Sequence, residues 1–205
     1  MKFFLKSGLL ATLLAITGIA NADWSANLGF ASEYYFRGIF QESTSANAGV
    51  DFENNGFFAG TWAADVGDGL EIDGFFGYGF AAGEVDLSLG YTHYHYTGDF
   101  DDTYREINLG AAASIFSFDV AVGRYDNFDG PTLDYTFYSV TAEKNGFYGK
   151  VGGFAQDFEG EYFEAGYNAE VAEVDLGVVF IYSNEDLIGE SDEAIIFTVG
   201  KAFDL

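Results

Sequence analysis

From Trp24 to Leu205 the chain repeats one arrangement: segments of about 9 to 13 residues that alternate apolar with small or polar side chains, separated by breaks rich in Gly, Asn and Asp. A period of two is the signature of a strand with one wet and one apolar face. Twelve such segments can be marked, near 24–36, 43–52, 57–66, 70–81, 85–96, 104–113, 116–125, 134–144, 147–156, 161–171, 174–183 and 193–205. None holds the roughly 18 uninterrupted apolar residues of a membrane helix. A chain of this kind that enters a bilayer must therefore do so as a closed barrel, which leaves no unpaired backbone in lipid.

The connections alternate in length. Those around Asn54, Gly83, Ser114, Asn145 and Ala172 are tight, whereas 37–42, 97–103, 126–133, 157–160 and 184–192 are longer and polar; a short one near Gly67 to Gly69 breaks the pattern. Short turns at one end, longer loops at the other and an even strand number predict an all-β, antiparallel, up-and-down transmembrane β-barrel of about 12 strands, with both termini in the periplasm. Residues 23–205 form this single domain. Met1 to Ala22 reads as a cleaved signal peptide, with Lys2 and Lys6 ahead of an apolar stretch and Ala20-Asn21-Ala22 at its end.

Parity tests the register. A two-residue turn at Ser114-Ile115 pairs Ala113 with Phe116 and keeps Ile107, Leu109, Phe118 and Val120 on one face. Asn145-Gly146, a type I′ sequence, pairs Val140 with Val151 in the same way. The turn at Asn54 to Gly56 is the exception, because Phe57 and Phe58 compete for the apolar face and a bulge is expected there. The opposite face carries mostly Gly, Ser, Asp and Glu, poor material for a soluble core. A soluble double sheet would alternate equally well, but the last segment, Ile195, Phe197, Val199, Phe203 and Leu205, resembles the terminal strand by which outer-membrane proteins are recognised. That resemblance implies the barrel-assembly machinery as a partner.

Charge excludes a further class. The whole chain carries 33 acidic and 8 basic residues, a formal −25. After removal of the signal peptide the bases are Arg37, Arg105, Arg124, Lys144, Lys150 and Lys201. Such a surface repels a phosphate backbone, so no nucleic-acid partner is expected. There is no cysteine, and hence no disulfide.

The stretches Ser32 to Gln41 (SEYYFRGIFQ), Gly56 to Val66 (GFFAGTWAADV) and Glu71 to Tyr78 (EIDGFFGY) resemble the amino-terminal half of the TorF-type porins, a group of small exported proteins. The resemblance implies an outer-membrane location and a pore, and no catalytic residues.

Four constellations stand out. Asp86, Asp119 and Asp175 each follow a tight turn and face inward, and Asp51 joins them from the second strand; a ring of carboxylates in a narrow passage would favour small cationic or neutral polar solutes. Arg37 also faces inward, at the outer end of the first strand, with Glu33, Glu71 and Asp73 as candidate neighbours, forming either a structural network or a cationic post across the lumen. The predicted register sets Arg105 opposite Arg124 on the outer rim, where lipopolysaccharide phosphate would relieve the repulsion unless both splay into water. Finally, His93 and His95 share a face, yet no third ligand is spaced for a metal. No cofactor and no enzymatic activity are expected. A barrel hydrolase would need Ser139 near His93, and a closed, non-conducting barrel is the other alternative to a porin. Aromatics near strand ends, including Trp24, Phe52, Phe80, Phe116, Phe147, Tyr162 and Tyr182, read as interfacial girdles.

Overall fold

A computed structural model describes residues 23–205; the signal-peptide reading falls on residues outside those described. Among the described residues, twelve antiparallel strands close into a barrel and a two-stranded hairpin stands apart from it. In chain order the first barrel strand is β1 (Asp23–Ala31), the hairpin is β2 (Tyr34–Phe36) and β3 (Ile39–Glu42), and the barrel resumes with β4 (Ser45–Asn54), β5 (Phe57–Asp65), β6 (Leu70–Ala82) and β7 (Val85–Tyr96). It continues through β8 (Tyr104–Ala113), β9 (Phe116–Tyr125), β10 (Leu133–Lys144), β11 (Phe147–Gln156), β12 (Glu161–Val171) and β13 (Val174–Ser183). A single helical turn, α1 (Glu185–Ile188), precedes β14 (Asp192–Asp204), which pairs with β1 to close the cylinder.

The tight turns are all two residues long and lie at one end, together with both ends of the barrel. Asn145 and Gly146 sit at φ 56° and 82°, the left-handed pair that lets a two-residue hairpin follow the strand twist. Ala113 pairs with Phe116 and Val140 with Val151, as the alternation requires. The expected bulge near Phe57 is absent. Asn55-Gly56 makes a regular two-residue turn, Asn54 pairs with Phe57 and Glu53 with Phe58. Phe58 therefore points into the lumen, where it covers Gly77 so closely that a methyl group there would collide with its ring.

The barrel is inside-out in its chemistry. Leu109, Ile107, Phe118, Val122, Val151 and Phe197 face outward and are exposed, whereas Glu71, Glu106, Ser45 and Ser183 face inward and are buried. Outward rings pair near the tight-turn end: Trp24 with Phe52 at 5.0 Å between centroids and Phe147 with Tyr167 at 4.5 Å. Tyr162 does not belong with them. It sits on the inward face, buried, stacked on Phe137 over Gly152. The register explains the difference, because Tyr162 shares a face with Glu164, two residues on, and its neighbour Phe163 takes the outward position.

The first strand is shorter than the alternation suggests. It ends at Ala31, where Ser32 caps the edge of β14 by donating its N–H to the Phe197 carbonyl and accepting from the Phe197 N–H at its hydroxyl. The following Tyr34-Tyr35-Phe36 run has no polar alternate, so neither of its faces suits a wall with one wet side. The chain instead turns inward as the β2–β3 hairpin.

Candidate functional site

The hairpin crosses the lumen at the loop end, and its two tyrosine anchors lie four strands apart in the wall. On one flank the Tyr34 hydroxyl donates to Glu71 Oε1 at 2.9 Å; on the other the Tyr35 hydroxyl donates to Asp192 Oδ2 at 2.6 Å. Burial and the Asp192 carboxylate raise the Tyr35 hydroxyl far above the ordinary phenol value, so it stays protonated and remains a donor. At the tip, Arg37 and Gly38 both adopt left-handed conformations, φ 51° and 87°. Gly38 also meets the wall closely: an added Cβ would lie 2.7 Å from Tyr162 Cβ and 2.8 Å from Leu187 Cδ2. Its carbonyl accepts the Ser183 hydroxyl at 2.5 Å. The Arg-Gly pair thus turns the hairpin and seats it against β12, β13 and α1.

Arg37 is the latch. Its Nη1 and Nη2 donate to the two oxygens of Glu106 at 2.8 and 2.7 Å, a bidentate pair in which Glu106 is only 2% exposed. The hydroxyls of Tyr94 and Tyr135 donate to the same carboxylate at 2.8 and 2.9 Å. The guanidinium lies over the rings of Phe137 and Phe36, at 4.1 and 4.8 Å from their centroids. Sequence reasoning places Arg37 at the end of the first strand among Glu33, Glu71 and Asp73; the structure corrects the strand position and the bonded partner, while Glu71 and Asp73 remain within reach of the Arg37 charge. Arg37 sits on the hairpin tip and its partner is Glu106, reached because the hairpin carries it across the lumen. Glu71 is held instead by Tyr34 and Tyr96, the latter at 3.1 Å, and is 1% exposed. Asp73 is buried beside it.

Below this ceiling the lumen is more open. Asp51, Asp86, Asp119 and Asp175 face inward in the tight-turn half and are each partly exposed. They do not form a single ring of equivalent positions. Asp86 and Asp175 lie one residue from their turns, whereas Asp51 and Asp119 lie three residues in. The deeper two are tethered, Asp51 by the Asn27 side-chain amide at 3.2 Å and Asp119 by the Ser139 hydroxyl at 3.4 Å. Large inward side chains lie flat over glycines of adjacent strands, Phe75 over Gly60 and Tyr148 over Gly166, rather than projecting to the axis. Lys150 and Glu164 face each other across β11 and β12 and are buried higher up.

At the loop end Arg105 is paired in register with Arg124. Each has its own carboxylate: Arg105 forms an ion pair with Asp126, and Arg124 Nε donates to Asp134 Oδ1 at 2.9 Å. An added anion is thus not required to relieve the two cations. A hollow of about 360 Å³ beside them is lined by Tyr91, Ile107, Val122 and Gln156 together with Asp134. His93 and His95 lie on the outer face, and among the described residues no three His, Cys, Asp or Glu side chains gather as a metal site. Ser139 faces the lumen and His93 the outside, so the pair a hydrolase would need is separated by the wall itself.

Glu106, Lys150 and Glu164 were not singled out from the sequence, although the parity that places Ile107 and Val151 outward also places their neighbours inward. The tyrosines around them carry no sequence signal that separates a lumen donor from a girdle ring.

No protein-family model and no curated protein matches the chain. Solved structures match at the level of the fold. A chain from work on the in-meso crystallization of membrane proteins superposes with a TM-score of 0.61 at 10% identity, covering 89% of this chain and 84% of that one. OccK1 (OpdK) of Pseudomonas aeruginosa gives 0.41 at 14% identity over 80% of this chain, and a BenF-like porin from Pseudomonas fluorescens Pf-5 gives 0.42 at 12% over 80%. The chain spans 58% and 55% of the length of those two proteins. The first of these likenesses bears on the architecture alone, a closed antiparallel barrel.

Proposed function

We propose that the protein is an outer-membrane porin: a narrow barrel that passes small cationic or neutral polar solutes and is closed at rest by its β2–β3 hairpin. The observation that carries this reading is the set of four partly exposed, inward-facing aspartates in the tight-turn half, below a ceiling latched by one arginine. The exposed apolar wall supports a place in lipid, and the short turns together with both ends of the barrel support a periplasmic position for that end. The TorF-type motifs agree, and they have a structural correlate: Arg37-Gly38 is the hairpin turn and Trp62 lines the lumen. Partly exposed carboxylates raise the local cation concentration and repel anions. The barrel-assembly machinery is the partner implied by β14.

A planar-bilayer recording in a KCl gradient tests the reading. The expected reversal potential is cation-selective, and replacing Asp51, Asp86, Asp119 and Asp175 with Asn moves it toward the unselective value. An anion-selective potential would overturn the role of the carboxylates. One observation favours a non-conducting barrel instead, the near-complete burial of Glu71, Glu106 and Ser183 in the plugged half. That reading requires the absence of current in the wild type and in variants with the hairpin released.

Lipopolysaccharide phosphate is the contact proposed for Arg105 and Arg124, taken up in exchange for Asp126 and Asp134, which pair with them in the free barrel. Arg105→Ala with Arg124→Ala is expected to reduce the lipopolysaccharide that co-purifies with the barrel; an unchanged amount would remove this contact from the proposal.

A further inference from the structure

Three carboxylates meet at the ceiling of the lumen, and two are accounted for. Glu106 is claimed by Arg37, Tyr94 and Tyr135, and Glu71 by Tyr34 and Tyr96. The third, Asp73, is 7% exposed, and its Oδ1 is the one buried carboxylate oxygen among the described residues with no hydrogen-bond partner. Both terminal nitrogens of Arg37 are engaged by Glu106. A buried carboxylate left without a donor is costly, and a donor brought from outside the chain relieves that cost.

The surroundings of Asp73 restrict what that is. In the sheet Asp73 stands directly opposite Trp62 on one side and Tyr94 on the other, all three on the inward face. Each of those rings continues into the hairpin, Trp62 against Tyr34 at 5.9 Å and Tyr94 against Phe36 at 5.5 Å. A lone carboxylate oxygen between two aromatic pairs suits a group with its own N–H donors, a positive charge for the ring faces and an apolar stem. It does not suit a bare metal ion, which needs several oxygen ligands: the oxygens of Glu71 and Glu106 are already taken by tyrosines and Arg37, and among the described residues no three such side chains are arranged to hold a metal.

We propose that Asp73 is the seat of a binding site for a primary alkylammonium group, held under the hairpin between Trp62 and Tyr94. The proposal rests on the reading of the lumen as a cation path and names the class of solute that path receives. An ammonium entering from the tight-turn end passes the partly exposed aspartates and stops at Asp73. There its N–H groups supply the missing donor and its alkyl stem lies against Trp62.

The two tryptophans of the chain make the test direct. In a Trp24→Phe barrel the only remaining indole is Trp62, one strand from Asp73. Methylammonium chloride is expected to change its fluorescence saturably, while sodium chloride at equal ionic strength does not. In Trp24→Phe with Asp73→Asn, shown to be folded by its heat-modifiable gel mobility, the methylammonium affinity falls at least about tenfold. Equal responses to sodium and methylammonium, no response in the Trp24→Phe barrel, or undiminished affinity in the folded Asn variant would each overturn the site. Bilayer recordings separate this from the porin reading. A saturable response in a barrel that carries no current keeps the site and overturns the pore, and current without a response overturns the site alone.

Discussion

Arg37→Ala is expected to turn a mostly closed barrel into a mostly open one. The substitution removes both bonds to Glu106 and leaves a carboxylate that is 2% exposed with only its two tyrosine donors. Removing one partner of a buried pair costs about 3–5 kcal/mol. The surviving tyrosines place the cost at the lower end, and the penalty falls on the docked state alone because an undocked hairpin exposes Glu106 to water. At about 1.4 kcal/mol per factor of ten, the closed-to-open ratio falls by about two orders of magnitude. Single-channel recording should show this as a large rise in open probability at unchanged reversal potential, because the lumen aspartates are untouched. Arg37→Lys keeps the charge but not the fork and should fall between the two. Arg37→Ala and Glu106→Gln should be strongly non-additive, since either one unmakes the same pair. Gating indistinguishable from wild type in all three variants would show that the hairpin is a fixed wall and not a gate.

The part of this device that the sequence reveals is set by local physics, and the part it hides is set by distance. Alternation and turn chemistry are local, so the twelve barrel strands, the two-residue turns at Ser114, Asn145 and Ala172 and the inward parity of Asp51, Asp86, Asp119 and Asp175 follow from residue spacing, whereas the turns at Asn55 and Gly83 prove shorter than the sequence suggests. The fate of Tyr34-Tyr35-Phe36 does not. Read along the chain these residues extend the first strand, and only the docked fold reveals that Tyr34 satisfies Glu71 and Tyr35 satisfies Asp192 on another part of the wall. The same separation hides the Arg37 and Glu106 pair, 69 residues apart. A cue lay in the sequence nonetheless: three consecutive aromatics interrupt the alternation just before an Arg-Gly turn, a pattern that a lipid-facing strand has no use for. Phe57 and Phe58 show the converse error. Neither face of a lumen that lays rings over glycine excludes a phenylalanine, so two adjacent ones need no bulge.

Leu109→Arg is expected to destabilise the barrel by about 2–4 kcal/mol in lipid vesicles, the cost of an arginine on the lipid face near the bilayer midplane. Leu109 lies midway along β8, faces outward and is 50% exposed. In a water-soluble protein an exposed leucine at such a position is a surface site, where substitutions stay within about 0.5 kcal/mol. The two environments therefore predict different magnitudes for one side chain. Ser117→Arg on β9 supplies the inward control: Ser117 is on the lumen face, partly exposed, and its arginine reaches water in either case. Urea unfolding from vesicles should shift strongly for Leu109→Arg and little for Ser117→Arg. Near-neutral shifts for both would place the apolar wall against water or another protein, and the pore would lose its membrane. A large shift for Leu109→Arg alone would tie the outward half of this composition to lipid, leaving the inward acids as the surface on which solutes are selected.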